Sequence, residues 1–495
     1  MTDALMQYGQ HGAEVLAGLM HVVFDPLVES VFDYGGKIVG FAGDGVLALY
    51  PIESDAQATA LRALTSACVI QKRFKENPVR QTLYGKFAIS AKIGLASGSV
   101  SWRILRSSDG EHATYYFRGG AVDEAADAEH HAKAGDILLT PEMGKLLEGE
   151  IYTTPCDLLQ RFNGFRLELP APNRVVFPPV DLSVARLFMP EEVIAYDVRG
   201  EFRQVVNLFV RFPDLSEVQL HDLMDKVFDL RHKYGGLLSR LDFGDKGCNL
   251  LILWGAPTAY ENDIGRALNF LLDLKSQVDF PITSGVTYYI AHAGYLGSSM
   301  CEDYTCYGWG VNLASRFMMG APIGETWVDD RIARRVSKRF EIEFVGRQLF
   351  KGFAAEQKVH RLRGYKQMLE PLYQGELVGR EAELAQLARF IEPLWQNKFA
   401  GLLLVSGDAG VGKGRLVYEF RSSSLFAGKN ILWAICQSDQ ILRQSFNPLR
   451  SWLLKYFGVS AHLSLDQGKQ IFDIRLDDLL ASLSDPDLAQ ELDRT

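Results

Sequence analysis

Three short segments of this chain combine glycine with side chains able to handle phosphate or a metal ion. Phe41-Ala42-Gly43-Asp44-Gly45 lies between apolar runs, so it reads as a hairpin turn with the Asp44 carboxylate at its tip, where it can reach a cation. Asn312 and Arg316, in Val311-Asn312-Leu313-Ala314-Ser315-Arg316, stand four apart and therefore on one helix face. Gly407-Asp408-Ala409-Gly410-Val411-Gly412-Lys413-Gly414 follows the apolar run Leu402-Leu403-Leu404-Val405-Ser406 and precedes a helix from Arg415. Strand, glycine loop, helix is the order a phosphate-binding loop requires. The backbone around Gly407, Gly410 and Gly412 would cradle phosphates, with Lys413 on the β/γ side and ATP as the expected ligand. Gly414 replaces the usual Ser or Thr and removes a hydroxyl that would ligate Mg2+, which counts against hydrolysis there.

The elements that must position these residues repeat at a spacing of roughly 200 residues, too long for a solenoid. Tyr34-Gly35-Gly36 precedes Phe41-Ala42-Gly43-Asp44 and the run Val46-Leu47-Ala48-Leu49-Tyr50, and Tyr234-Gly235-Gly236 precedes Phe243-Gly244-Asp245-Lys246 and the run Leu250-Leu251-Ile252-Leu253-Trp254. Both read as strand, glycine turn, strand. A helical stretch follows each (Asp55 to Phe74, Glu261 to Leu274), then a strand (Ile89 to Ser99, Ile282 to Tyr289). Arg118-Gly119-Gly120-Ala121-Val122-Asp123 then echoes Tyr307-Gly308-Trp309-Gly310-Val311-Asn312. Three landmarks in the same order point to duplication of one α/β (α+β) domain. Pro-rich stretches at Leu169-Pro170-Ala171-Pro172 and Phe177-Pro178-Pro179 separate the copies. The expected domains are 1–180, 181–365 and 376–495.

The FAGD hairpin, the Lys92-Ile93-Gly94 strand and the VNLASR helix together resemble the class III nucleotidyl cyclases. The tandem arrangement before a phosphate-binding loop looks most like the soluble adenylyl cyclases. That resemblance implies two ferredoxin-like cyclase domains packed as a pseudo-symmetric pair, followed by a partial P-loop NTPase domain. It implies conversion of ATP to cyclic AMP and diphosphate with Mg2+ or Mn2+. Asp44 matches the second of two metal-binding aspartates, and Lys92 matches a strand lysine that contacts the triphosphate. Lys246 and Thr305 match residues that read adenine. Asn312 would position the ribose and Arg316 would stabilise charge on the reacting phosphate. Guanylyl cyclases typically place Glu and Cys where Lys246 and Thr305 stand, which favours ATP over GTP.

The copies differ in a way that leaves one site. Asp123 and Asp127 stand where the second copy has Asn312 and Arg316, and acids there would repel phosphate. Lys246 replaces the second copy's metal aspartate, and Arg211 falls where its first would be; neither cation binds magnesium. The bicarbonate-responsive relatives carry a lysine and an arginine where this chain has Gly40 and Ala126, which counts against that response. The apolar-Asp-x-Ser-Gly-Phe strand that supplies the family's first metal aspartate is not found before the first helix. The chain as given is therefore expected to bind magnesium poorly and turn over slowly. Two alternatives stay open: a catalytically impaired, nucleotide-binding signalling scaffold, and a guanylate cyclase.

Composition narrows the class further. With 47% hydrophobic and 23% charged residues, the 495-residue chain is ordinary for globular domains, and a net charge of −9 argues against a nucleic-acid partner. The six scattered cysteines read as reduced thiols of a cytoplasmic protein, with neither a signal peptide nor a membrane span expected. Regulatory partners are not legible.

Overall fold

The computed structural model describes residues 5, 8–42, 45–166, 169–172, 174, 181–195, 200–244, 247–260, 262–298, 300–337, 339–366, 377–407, 411–429, 431–434, 436, 446–457, 469–470 and 472–476. Those through Lys366 form one compact unit and those from Leu377 onward form another.

In the first half of the larger unit, helix α1 (Gly9–Asp33) leads into the antiparallel hairpin β1 (Lys37–Ala42) and β2 (Gly45–Leu49). Helix α2 (Ala56–Glu76) follows, its first turn capped by Asp55, whose carboxylate accepts from Ala58 N at 3.0 Å. Next come the hairpin β3 (Val79–Thr82) and β4 (Gly85–Ala88), strand β5 (Ile93–Leu95), the hairpin β6 (Ser101–Arg106) and β7 (Ala113–Arg118), and helix α3 (Gly120–His131). Strand β8 (Ile137–Leu139), helix α4 (Pro141–Leu146) and strands β9 (Ile151–Cys156) and β10 (Leu159–Phe165) complete a sheet of order β5-β8-β10-β9.

Two short helices, α5 (Leu182–Phe188) and α6 (Glu191–Ile194), lead to the second half. It consists of β11 (Gly200–Arg211), α7 (Glu217–Tyr234), β12 (Leu237–Asp242), β13 (Asn249–Trp254), α8 (Asp263–Ser276), β14 (Thr283–Ser298), β15 (Cys301–Tyr307), α9 (Trp309–Gly320), β16 (Thr326–Asp329), α10 (Asp330–Val336), β17 (Phe340–Gln348) and β18 (Gln357–Tyr365). The sheet order is β12-β13-β11-β14-β16-β18-β17, with β15 paired to β14. Its β14-β16-β18-β17 portion repeats β5-β8-β10-β9, and each begins with a parallel pair. The repeat read from the glycine landmarks is thus matched by strand order and direction.

The halves differ where β11 sits. β11 joins the β12–β13 hairpin to β14 and pairs with β14 along its whole length. Among the described residues no strand of the first half takes that place, and β1–β2 remains a separate two-stranded sheet. This explains a difference from the expected strand over Ile89 to Ser99. Only Ile93–Leu95 is strand, because β8 alone pairs with it, whereas β14 is carried to Gly294 by β11 and on to Ser298 by β15.

Part of the first half's core is supplied by the second half instead. Leu16, Phe24 and Val28 of α1 are fully buried and cluster with Leu296 of β14 and Tyr307 of β15. The segment Val15–Asp33 has a mean hydropathy of 1.6, long and apolar enough by composition to cross a membrane. Here it serves as a core helix, and its apolarity follows from facing two layers. In the reciprocal contact, Leu105 of β6 and Tyr116 of β7 join the second half's core beside Phe228 and Phe243.

Asp329 shows how burial couples this core to pH. Its carboxylate caps α10, accepting from Ile332 N at 2.8 Å, and also accepts from Tyr288 N at 2.6 Å. Burial nevertheless pushes its carboxyl up from 3.8 to about 6. The folded state therefore holds the proton more tightly than the unfolded chain. The stabilisation is complete below about pH 4 and is lost as pH rises through 6. Asp329→Asn keeps a capping oxygen but cannot ionise. Urea unfolding at pH 5 and pH 7.5 should show a smaller fall in midpoint for this variant than for the wild type.

The smaller unit contains α11 (Glu381–Phe390), α12 (Lys413–Arg421) and α13 (Asn447–Tyr456), with a small core that includes Leu387, Leu416 and Phe420. The strand expected over Leu402 to Ser406 does not form. That segment has no regular secondary structure, with Leu402 96% and Leu404 89% exposed. No strand is found elsewhere among this unit's described residues, so the segment has no ladder to join.

Candidate active site

Strand β15 is where the larger unit brings the two halves together around polar side chains. Thr305 lies opposite Gly294 of β14 and is 8% exposed. Its Oγ1 is 2.9 Å from Ser239 Oγ on β12, a contact in which either hydroxyl can donate. The next residue, Arg240, donates from Nη1 to the backbone carbonyl of Phe41 at 2.8 Å, three residues before Asp44 in the chain. This hydrogen bond crosses from the second half to the first. Gly297 permits the close approach: a Cβ there would lie 2.9 Å from Phe41 Cζ, and the residue has φ +136°. Asp303 stands two positions before Thr305. Burial pushes its carboxyl up to about 6, opposed by the Arg240 guanidinium.

Helix α9 begins immediately after β15. Its N-cap Gly308 has φ 142°, a backbone conformation suited to glycine. Leu313, Ala314 and Phe317 are buried, so the helix is fixed by one face. Asn312 is exposed and Arg316 is half-buried on the other, as their spacing predicts. The close packing depends on Gly285 of β14, where a Cβ would come within 2.1 Å of Ala314 O; Gly94 of β5 stands in the same relation to Ala125 O at 2.3 Å. Neither the Asn312 nor the Arg316 side chain has an ion pair or hydrogen bond among the described residues. The guanidinium therefore remains available to an anion.

The pseudo-symmetric position across the interface is filled differently. Tyr116 precedes Gly119 by the same three residues that separate Thr305 from Gly308. It is 2% exposed, and its ring lies 5.1 Å from that of Phe243. Arg118 sits over both rings, at 5.6 and 5.8 Å from their centroids, and donates to Leu215 O at 3.1 Å. One place has a pair of hydroxyls, and its counterpart is filled with aromatic side chains. On α3, the counterpart of α9, Asp123 and Asp127 are exposed.

Other expected site residues lie apart from this arrangement or outside the described residues. Lys92 lies immediately before β5 rather than within it, with Nζ 2.8 Å from Glu129 Oε1 on α3. Asp44, Lys246 and Gly410 lie outside the described residues. No group of three or more His, Cys, Asp or Glu among the described residues is placed to hold a metal ion, so these residues do not by themselves supply a Mg2+ or Mn2+ cage.

In the smaller unit, Lys413 opens α12 and donates from Nζ to Gly407 O at 2.8 Å, closing the glycine loop on itself. Gly412, at φ 92°, makes the left-handed turn into the helix. Arg380 of the Val378-Gly379-Arg380-Glu381 segment donates to Val411 O at 3.2 Å and pairs with Glu383 at 2.6 Å.

Residues 376–494 match the family described as AAA ATPase domain. Adenylate cyclase type 10 of Oryctolagus cuniculus is 25% identical, in an alignment covering 83% of this chain and 29% of that protein. The Rattus norvegicus protein of the same name is 24% identical with the same coverages. The chain is thus similar in sequence to adenylate cyclase type 10 over most of its length. It spans about 29% of the length of these relatives. Among solved structures, the adenylyl cyclase CyaB from P. aeruginosa is 18% identical, covering 35% of this chain and all of that one, with a TM-score of 0.31. The guanylyl cyclase Cya2 is 17% identical, covering 35% of this chain and 98% of that one, also with a TM-score of 0.31.

Sequence reasoning missed Ser239, Arg240 and Tyr116. Tyr116 could have been found by aligning the two copies backward from Gly119 and Gly308. Ser239 and Arg240 carry no local motif. Only the hydrogen bonds from β12 to β15 and β1 reveal them.

Proposed function

We propose that the chain is an adenylate cyclase that converts ATP to cyclic AMP and diphosphate at one composite site. Residues 1–180 and 181–365 are its paired cyclase domains, and 376–495 is a nucleotide-binding module. The observation that carries this reading is the Arg240 hydrogen bond to Phe41 O. It ties the strand beside Thr305 to the strand that leads into the Asp44 turn. Thr305 and Lys246 then read the adenine edge, and Asn312 orients the ribose. The 3′ oxygen attacks the α-phosphorus, the bond from that phosphorus to the bridging oxygen breaks, and the hydroxyl proton leaves to solvent. Arg316, carried on a helix anchored by its buried face, neutralises charge on the reacting phosphate. A divalent ion, with Asp44 as its ligand from this chain, would acidify the hydroxyl. The Glu129 partner makes Lys92 the weakest of the assigned phosphate contacts. Gly407, Gly412 and Lys413 bind a second ATP phosphate group in the module. The free thiols support a cytoplasmic location.

The test is direct. The chain is incubated with ATP or GTP, with Mg2+ or Mn2+, and cyclic nucleotide is separated chromatographically. Cyclic AMP from ATP, exceeding cyclic GMP from GTP, is expected. Binding of both nucleotides without either product would instead favour the impaired scaffold, and a preference for GTP would favour a guanylate cyclase.

A further inference from the structure

Ser239 is the residue whose placement goes beyond the roles assigned above. Its hydroxyl and that of Thr305 are each other's hydrogen-bond partner at 2.9 Å, and neither side chain has a second partner among the described residues. Thr305 is buried and Ser239 half-buried, so bulk water competes poorly for the pair.

Two hydroxyls in contact share one hydrogen bond, and its direction decides what Thr305 shows to a third group. If Thr305 donates to Ser239, it presents lone pairs alone and can only accept. If Ser239 donates to Thr305, the Thr305 proton is free to be donated outward. The two purines differ in this respect. Adenine offers an amino donor at position 6, whereas guanine offers a carbonyl acceptor. A Thr305 that donates to Ser239 suits adenine and leaves guanine O6 facing a lone pair.

We propose that Ser239 is a positioning residue for purine selectivity, accepting the Thr305 proton and so holding Thr305 as an acceptor for the adenine amino group. This rests on the reading of Thr305 as a base-contacting residue. Removing the Ser239 hydroxyl frees the Thr305 proton, and discrimination against guanine should weaken. A mispaired buried hydrogen-bonding group typically changes an affinity ratio by about tenfold.

The experiment measures kcat and KM for ATP and GTP with the wild type, Ser239→Ala and Ser239→Thr. The affinities of fluorescent ATP and GTP analogues are measured in parallel in a Lys413→Ala background, so that the glycine loop does not contribute. Ser239→Ala should lower the ATP-to-GTP preference about tenfold, through KM and affinity rather than kcat, and Ser239→Thr should restore it. An unchanged preference in Ser239→Ala, in turnover or in affinity, overturns the proposal. If nucleotides bind but no cyclic product forms, the catalytic reading fails while the affinity ratio still judges Ser239. If neither nucleotide binds in the Lys413→Ala background, the base-site reading falls and takes the Ser239 role with it.

Discussion

Arg316→Ala is expected to lower cyclic AMP formation by about 100- to 1,000-fold with little change in fold stability. The basis is the contrast between the two faces of α9. Leu313, Ala314 and Phe317 are buried and hold the helix, whereas Arg316 makes no ion pair or hydrogen bond among the described residues. Truncating it removes no packing anchor and leaves no buried partner unpaired. Removal of one fixed donor from a site of developing negative charge typically costs two to three orders of magnitude in kcat, about 2.7–4 kcal/mol. Arg316→Lys should recover only part of the loss, because a lysine keeps the charge without the planar fork. Steady-state kinetics with ATP check the effect, and thermal unfolding separates it from misfolding. A fall in kcat with KM nearly unchanged is the expected split.

Gly285→Val should strongly destabilise the larger unit. A Cβ at this position would lie 2.1 Å from Ala314 O, 2.5 Å from Met318 N and 2.7 Å from Phe317 Cβ. Two of these are backbone atoms of α9 and cannot rotate away, so the helix must lift off β14. Overpacking of this kind costs about 1–3 kcal/mol or more, and a lower unfolding temperature is expected. Because Asn312 and Arg316 ride on the same helix, activity should fall even below the temperature at which the variant unfolds. Gly18→Ala is the control, since a Cβ there meets nothing within 4 Å. Thermal unfolding and cyclase assays of both variants decide it, and equal stability of Gly285→Val and wild type would contradict the packing account.

Much of the larger unit was legible because its signals are local. Glycine turns flanked by apolar runs gave both hairpins, and four-residue spacing put Asn312 and Arg316 on one helix face. The order of the landmarks gave the repeat. The length of β14 was not legible, because a strand extends as far as its neighbours pair with it, and β11 is remote in the chain. The exposed Leu402 to Ser406 segment failed for the same reason in reverse: its apolar run predicts a strand but cannot supply a ladder. The Ser239–Thr305 and Arg240–Phe41 contacts depend on how β12 packs beside β15 and β1, to which no spacing rule reaches. Lys92 illustrates a third limit. Sequence placed it in a strand, but it lies just before β5, and Glu129, the partner that occupies its amine, is on a helix more than thirty residues later.

The central claim, one working site from two unequal copies, is tested most directly by assaying Asp44→Asn, Arg316→Ala and Asp123→Asn side by side for cyclic AMP formation from ATP. The first two change opposite contributions to the proposed composite site, and the third changes the counterpart of Asn312 on α3. Near-complete loss in Asp44→Asn and in Arg316→Ala, with Asp123→Asn close to wild type, is the predicted pattern. Full activity in Asp44→Asn, or a loss in Asp123→Asn as deep as that in Arg316→Ala, would contradict it.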